Sequence, residues 1–502
     1  MDVGKEFKAA RAVGTPLIGI RTSNQPDLIR RLATDAAPEF RWDAVKGVVP
    51  LNDTAKKLLP SLLGDAQQEF TIDPVTALDI MSKAPDRACL YVVNAHRFVD
   101  DAKVATAVGN LREPYKSRGA TCVLLGPSLR LPQELVTDVI LLEDALPDDE
   151  QLKQIVEFTH SEAGAQKPSR EGEDAAVTAL RGLSSFGAEQ QAFLSLRSRN
   201  GALTLDMDSL WARKTEAVNA IPGLFMEYKK GDDAGIRGLK ALRGYLDRLF
   251  REENEERPMA CLHVDEVEKA LAGSGAGGGP GDSSGVTQDQ IGQLLQTMEE
   301  KAWDGLILVG PPGTGKSMIA RSAASIYGVP YLRLDLGALK GSLVGQSEQQ
   351  VRMALDTIDR ASGGRLLVLA TCNRMEVLPP ELRRRFCSGI WYFDLPSDDE
   401  RRDIWALYAG RYNVKAAGAV PWSKGWTGAE IRNACRTAWR LGCSIDEAAK
   451  MIVPVCQSAK EEIERLRRNA TGRFIDASKG EAYLPQDEAA AASGRRRVAI
   501  EE

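Results

Sequence analysis

The stretch Gly310-Pro311-Pro312-Gly313-Thr314-Gly315-Lys316-Ser317 constrains this chain more than any other. It follows the apolar run Leu306-Ile307-Leu308-Val309 and leads into Met318-Ile319-Ala320, so a glycine-rich loop stands between a buried-strand pattern and a helix start. Each residue type answers a need of phosphate binding. Glycines let consecutive backbone N–H groups converge on phosphate oxygens with no Cβ in the way. The helix start adds its partial positive charge. Lys316 reaches the β- and γ-phosphates of ATP, and the Ser317 hydroxyl ligates Mg²⁺. An ordinary turn between strand and helix has no need of Lys-Ser in that register.

Phosphate chemistry with a metal also needs two carboxylates at the end of a neighbouring strand, one to hold Mg²⁺ through water and one to polarise the attacking water. Downstream of the loop the pair is missing. Tyr331-Leu332-Arg333-Leu334 ends in a single Asp335, and Arg365-Leu366-Leu367-Val368-Leu369-Ala370-Thr371 ends in Cys372-Asn373. The pair stands upstream instead, where Cys261-Leu262-His263-Val264 runs into Asp265-Glu266. A solvated Asp-Glu at a helix start is the commonplace alternative. An apolar strand directly before it and a phosphate loop in the same stretch favour the catalytic reading, with Asp265 on the metal and Glu266 as general base.

The rest of the chain divides by pattern. Residues 1–165 alternate apolar runs at 17–20, 88–93, 122–125 and 139–142 with helix-length segments, which indicates a mostly parallel sheet covered on both faces. Ser161 to Glu173 reads as a linker, and 174–233 as a helical connector closing in a second linker at Lys229 to Asp233. Strand and helix alternate again over 234–396, interrupted by Gly273 to Gly285, an insert too rich in glycine to pack. Helical periodicity fills 397–470, and 471–502 reads as a flexible tail containing Arg495-Arg496-Arg497. The fold class is α/β, with a P-loop sheet, a helical lid and a separate N-terminal α/β domain.

Over about 235–470 these residues resemble an AAA+ ATPase of the AAA clade. Asn373 in Ala370-Thr371-Cys372-Asn373 matches the family's sensor 1, and Leu378-Pro379-Pro380-Glu381-Leu382 leads into Arg383-Arg384-Arg385-Phe386 as in its second region of homology. Trp426-Thr427-Gly428-Ala429-Glu430 resembles the lid motif, whose Gly428 and Ala429 would contact the nucleotide. Gly235-Ile236-Arg237-Gly238-Leu239 resembles the segment passing the adenine, with Ile236 as the contact; an ordinary helix start is the alternative. Further similarity points to the chloroplast-frame and cyanobacterial AAA proteins, through Arg333-Leu334-Asp335-Leu336-Gly337, Leu343-Val344-Gly345-Gln346-Ser347-Glu348 and an N-terminal α/β domain without a P-loop. There the first strand meets Ser23-Asn24-Gln25-Pro26 and another ends in Asn94, so no hydrolysis is expected in that domain.

The resemblance implies a parallel sheet of strand order 5-1-4-3-2. The departure is in chain order, because the carboxylate strand and its helix, normally third, come first. Both rearranged crossovers run in the same direction as before and span one strand each, so right-handedness is retained. The joins Lys301-Ala302-Trp303-Asp304 and Ala361-Ser362-Gly363-Gly364 have ordinary lengths. A permuted core with an intact site is expected.

The resemblance also implies a ring, of six subunits, in which Arg385 reaches the neighbour's γ-phosphate with Arg384 or Arg383 as its second; a plain basic helix end is the alternative. Leu343 stands where ring translocases carry a gripping aromatic, and it offers less stacking surface. The insert Gly273 to Gly285 falls where a second pore loop would lie, or is a simple linker. A net charge of −5 disfavours a DNA-directed motor or loader. No apolar run approaches the roughly 18 residues of a membrane span, and no signal peptide is evident. Eight scattered cysteines without a Cys-x-x-Cys pair read as buried thiols of the cytosol, and three histidines leave little scope for imidazole metal chemistry. The expected protein is a cytoplasmic Mg²⁺-dependent ATPase whose homo-oligomer remodels or translocates a macromolecular client, protein rather than nucleic acid. Its rivals are the DNA-directed motor and a nucleotide-gated scaffold without turnover.

Overall fold

Continuous apolar runs dictate strands buried on both faces, and the chain has two sets of them. The computed structural model describes residues 3–22, 24–64, 68–127, 129–199, 202–231, 235–268, 286–339, 346–374, 380–415 and 422–485. They divide into two compact units, Met1–Ile155 with Leu183–Gln190, and Val156–Gly182 with Gln191–Glu502.

The first unit is built on strands β1 (Leu17–Arg21), β2 (Glu39–Asp43), β3 (Gly47–Pro50), β4 (Cys89–Val92), β5 (Thr121–Gly126) and β6 (Ile140–Glu143). Their order is β3-β2-β4-β5-β1-β6, parallel throughout except for the antiparallel β2–β3 pair. The β2–β3 hairpin is absent from the sequence expectation because Glu39-Phe40-Arg41-Trp42-Asp43 alternates polar and aromatic residues rather than forming an apolar run. Numbered along the chain, the five parallel strands lie as 5-1-4-3-2. Where a phosphate loop and a carboxylate would stand, Gln25 and Asn94 hold each other: Gln25 Nε2 donates to Asn94 Oδ1, and Asn94 N–H to Gln25 Oε1, both at 2.8 Å.

The second unit carries a hairpin of β7 (Leu196–Arg199) and β8 (Ala202–Leu205) and a seven-stranded sheet. The sheet contains β9 (Leu224–Glu227), β10 (Ala260–Val264), β11 (Asp304–Val309), β12 (Tyr331–Leu334), β13 (Leu366–Cys372), β14 (Ile390–Tyr392) and β15 (Ile475–Asp476). Its order is β15-β14-β11-β13-β10-β12-β9. Counting the P-loop strand β11 as first and β10 as third, the parallel centre β14-β11-β13-β10-β12 has the order 5-1-4-3-2. The carboxylate strand takes the expected central place although it comes first in the chain.

Two expectations need correction. The stretch 174–233 is not wholly helical: besides the β7–β8 hairpin it supplies β9, which pairs antiparallel with β12 through Leu224–Leu334 and Glu227–Tyr331. A four-residue edge strand is too short to announce itself beside helical periodicity. The tail is not flexible from residue 471, because β15 extends the sheet beside β14 and Ala477 N–H donates to Tyr392 O at 3.0 Å. Residues 486–502, with Arg495–Arg497, lie outside the described residues, as does the insert 273–285. Helices Asp398–Tyr412, Gly428–Leu441, Ile445–Ala449, Val455–Ser458 and Lys460–Ala470 fill the lid; Trp405, Tyr408, Ile431 and Cys435 lie in its core. Among the described residues no helix is long and apolar enough to cross a membrane.

Candidate active site

The loop after β11 turns through left-handed conformations at Gly313 (φ 83°) and Gly315 (φ 99°), where a side chain is strained. A Cβ on Gly313 would also stand 2.8 Å from Thr427 Oγ1 and 3.1 Å from Ala429 Cβ. Lys316 opens the helix Lys316–Tyr327, whose N-terminus faces the loop. Its side chain folds back, with Nζ donating to Gly310 O at 2.7 Å and Pro311 O at 2.8 Å. Burial pushes the ammonium down to about 8, since the charged form loses hydration.

The carboxylates reach this loop through the pairing of β10 with β13. The register Val264↔Ala370 sets Asp265 beside Thr371. The Thr371 hydroxyl donates to Asp265 Oδ1 at 2.5 Å and accepts from Glu266 N–H at 2.9 Å, so one side chain of β13 anchors both acidic residues. Ser317 Oγ donates to the same Asp265 oxygen at 3.1 Å, across 52 residues of chain. His263 Nε2 stands 3.5 Å from it. His263 foremost, with the Thr371 and Ser317 hydroxyls, holds the Asp265 carboxyl well below the usual carboxylate range against the opposing effect of burial. Glu266 sits at φ 49°, a left-handed conformation that non-glycine residues adopt at a cost and that clusters at functional sites. Asn373 Nδ2 lies 3.4 Å from Glu266 Oε1. Ser317 Oγ and Asp265 Oδ1 together form a hard oxygen pair of the kind Mg²⁺ takes alongside phosphates and water.

These groups line one cavity of about 400 Å³, with Asp265, Glu266, Asn373 and Pro312 through Met318 joined by Ile236, Gly428 and Ala429. Of the expected binding residues, Gly310 and Pro311 stand back from the lining and meet Lys316 through their carbonyls. The lid closes on the loop where Ala429 N–H donates to Gly313 O at 3.2 Å. Segment 235–239 is fixed by Glu400, whose Oε1 accepts from Leu239 N–H at 3.2 Å and from Ser478 Oγ at 2.6 Å. Sequence reasoning assigns no role to Thr371, His263, Glu268, Glu400, Tyr408, Arg432 or Ser478, all placed at or beside the site by folding. Thr371 alone carried a signal, as the residue two before the sensor asparagine at a strand end.

Arg383, Arg384 and Arg385 are not part of this cavity. They end the helix Pro380–Arg385, where Arg385 forms an ion pair with Glu299 of the helix Val286–Glu300 and Arg384 is exposed. Leu343 and Leu378-Pro379 lie outside the described residues.

Two family models match the chain. One, described as SpoVK-like AAA ATPase, N-terminal domain, matches residues 5–143. The other, ATPase family associated with various cellular activities (AAA), matches 306–363, from the P-loop strand to the turn before β13. The AAA domain-containing protein ycf46 of Guillardia theta is 22% identical over 93% of this chain and 94% of its own length. The ycf46 protein of Pyropia yezoensis is 30% identical over 35% of this chain and 47% of its own. Fidgetin-like protein 1 of Caenorhabditis briggsae is 27% identical over 27% of this chain and 30% of its own. A solved structure, that of the FIGL-1 AAA domain, shares 18% identity and covers 51% of this chain and 94% of its own, with a TM-score of 0.32.

Proposed function

Because this chain belongs to the AAA family of ATPases, we propose that it hydrolyses ATP in the pocket of Lys316, Asp265, Glu266 and Asn373, and that an oligomeric ring spends the energy on remodelling or translocating a macromolecular partner. Backbone N–H groups of the loop bind the phosphates, and Lys316 exchanges the carbonyls of Gly310 and Pro311 for phosphate oxygens. Ser317 and Asp265 would hold Mg²⁺, which would supply positive charge against the charge developing on the phosphates. Glu266 takes the proton of the attacking water, and Asn373 orients the Glu266 carboxylate and that water. Ile236, Gly428 and Ala429 face the adenosine. The observation that carries the reading is the Ser317–Asp265 hydrogen bond, which joins the loop to a strand encoded ahead of it. Seen from this bond, the early strand is a transposition of the family's third strand that leaves the chemistry together.

The ring reading is tested through the arginines. Arg384 is exposed and so open to a neighbouring subunit, while Arg385 forms an ion pair with Glu299 of its own chain. Arg384→Ala is expected to lower turnover by about 10³-fold, the lower range for loss of an arginine finger. Mixing it with Glu266→Gln subunits should restore turnover, because each supplies what the other lacks. If turnover is independent of protein concentration and indifferent to Arg384, Arg385 and Arg383, hydrolysis needs no neighbour and the ring is rejected.

A further inference from the structure

We propose that Glu268 is a positioning residue of the hydrolysis site: it sets the amide of Asn373, and through Asn373 the carboxylate of Glu266. This rests on the reading of the pocket given above. Glu268 follows β10 by four residues and is only 6% exposed. One of its oxygens, Oε1, accepts from Asn373 N–H and from Asn373 Nδ2, each at 3.0 Å. The same Nδ2 faces Glu266 Oε1 at 3.4 Å. Asn373 directly follows the last residue of β13, so a single carboxylate pins its main chain and its side chain.

An asparagine amide rotates in a broad, roughly two-fold well, and its two ends differ in chemistry. Two carboxylate oxygens on one side decide the orientation, because only the NH₂ end can face them. With Glu268 in place the amide therefore presents a donor to Glu266. Without it, Nδ2 has only the longer contact to Glu266 and the amide is free to turn its oxygen toward that carboxylate. Burying a carboxylate is costly unless it is well hydrogen-bonded, and among the described residues Glu268 Oε2 is buried with no hydrogen-bond partner. Packing alone would be served better by an apolar residue. Lys316 is not the explanation, since its ammonium hydrogen-bonds to the two loop carbonyls; the Glu268 charge merely favours that ammonium from nearby.

The test uses the full chain with Glu268→Gln, which keeps an acceptor oxygen and loses the charge, and Glu268→Met, which keeps the volume and loses both. ATP affinity, read with a fluorescent ATP analogue, should stay within about twofold in both variants, which also shows that each is folded. Turnover should fall by about 10-fold to 100-fold in Glu268→Met, as expected for a misplaced catalytic group, and stay within about twofold in Glu268→Gln. Adding Glu268→Met to Asn373→Ala should lower turnover no further, because both changes remove one unit. Wild-type turnover in Glu268→Met, equal losses in Met and Gln, or additive losses in the double variant would each overturn the proposal. Glu266→Gln separates the two readings. If it is inactive while Glu268→Met is not, only the positioning role falls; if it turns over normally, the pocket reading falls first.

Discussion

With Lys316 replaced by alanine, ATP binding is expected to weaken by at least about 30-fold, the equivalent of the ~2 kcal/mol lower bound for truncating one partner of a buried, hydrogen-bonded charge pair. The ammonium is buried at the helix N-terminus and already turned onto the loop. Phosphate oxygens would replace two neutral carbonyls by charged acceptors. The same group gives the wild type a pH signature. Its ordinary value near 10.5 is depressed to about 8 by burial, and a bound polyphosphate favours the ammonium and raises it again. Between those two values binding takes up a proton, so wild-type affinity should fall as pH rises past about 8 and be level below pH 7. Calorimetry at pH 8.5 in two buffers of different ionisation enthalpy reads the uptake. The alanine variant should show none, and undiminished binding by it would remove Lys316 from the site.

Glu266→Gln is expected to separate binding from chemistry. Glutamine has the same length and can still accept from Asn373 Nδ2, while the left-handed backbone at 266 stays anchored by Thr371 Oγ1. What it lacks is a carboxylate to receive the proton of water. Phosphate release at saturating ATP should therefore drop by about 10²-fold to 10⁴-fold, with nucleotide affinity near that of wild type. A chain that binds ATP without hydrolysing it is also the means to capture the partner. Equal rates of phosphate release in variant and wild type would dismiss Glu266 as the base.

Loop, carboxylates and sensor asparagine are legible in the chain because each is a short pattern with its strand directly beside it. The sheet order is different in kind: no local pattern says that the strand before Asp265 lies between two strands encoded after the loop, and only the family resemblance points there. Thr371 and Glu268 act through contacts 105 residues or more apart, created when β10 and β13 pair, so their roles belong to tertiary structure. The same holds for Glu400, which ties segment 235–239 to Ser478, and for β9 and β15, edge strands of four and two residues. Arg385 shows the opposite case. It fits the finger pattern better than its neighbours, and no local pattern announces the ion pair it forms with Glu299 of the helix Val286–Glu300.

Manganese offers the most direct measurement of whether the upstream carboxylate and the phosphate loop share one metal. Mn²⁺ takes the same oxygen donors as Mg²⁺ and is counted by its spectrum when free. With ATP present, the wild-type chain should hold one Mn²⁺ per nucleotide. Asp265→Asn should loosen that ion by about 10-fold to 100-fold, the equivalent of the roughly 1.5–3 kcal/mol of a charged hydrogen bond, while ATP binding in EDTA is unchanged. Mn²⁺ held equally well by Asp265→Asn and wild type would mean that the early strand and the loop do not close one catalytic pocket.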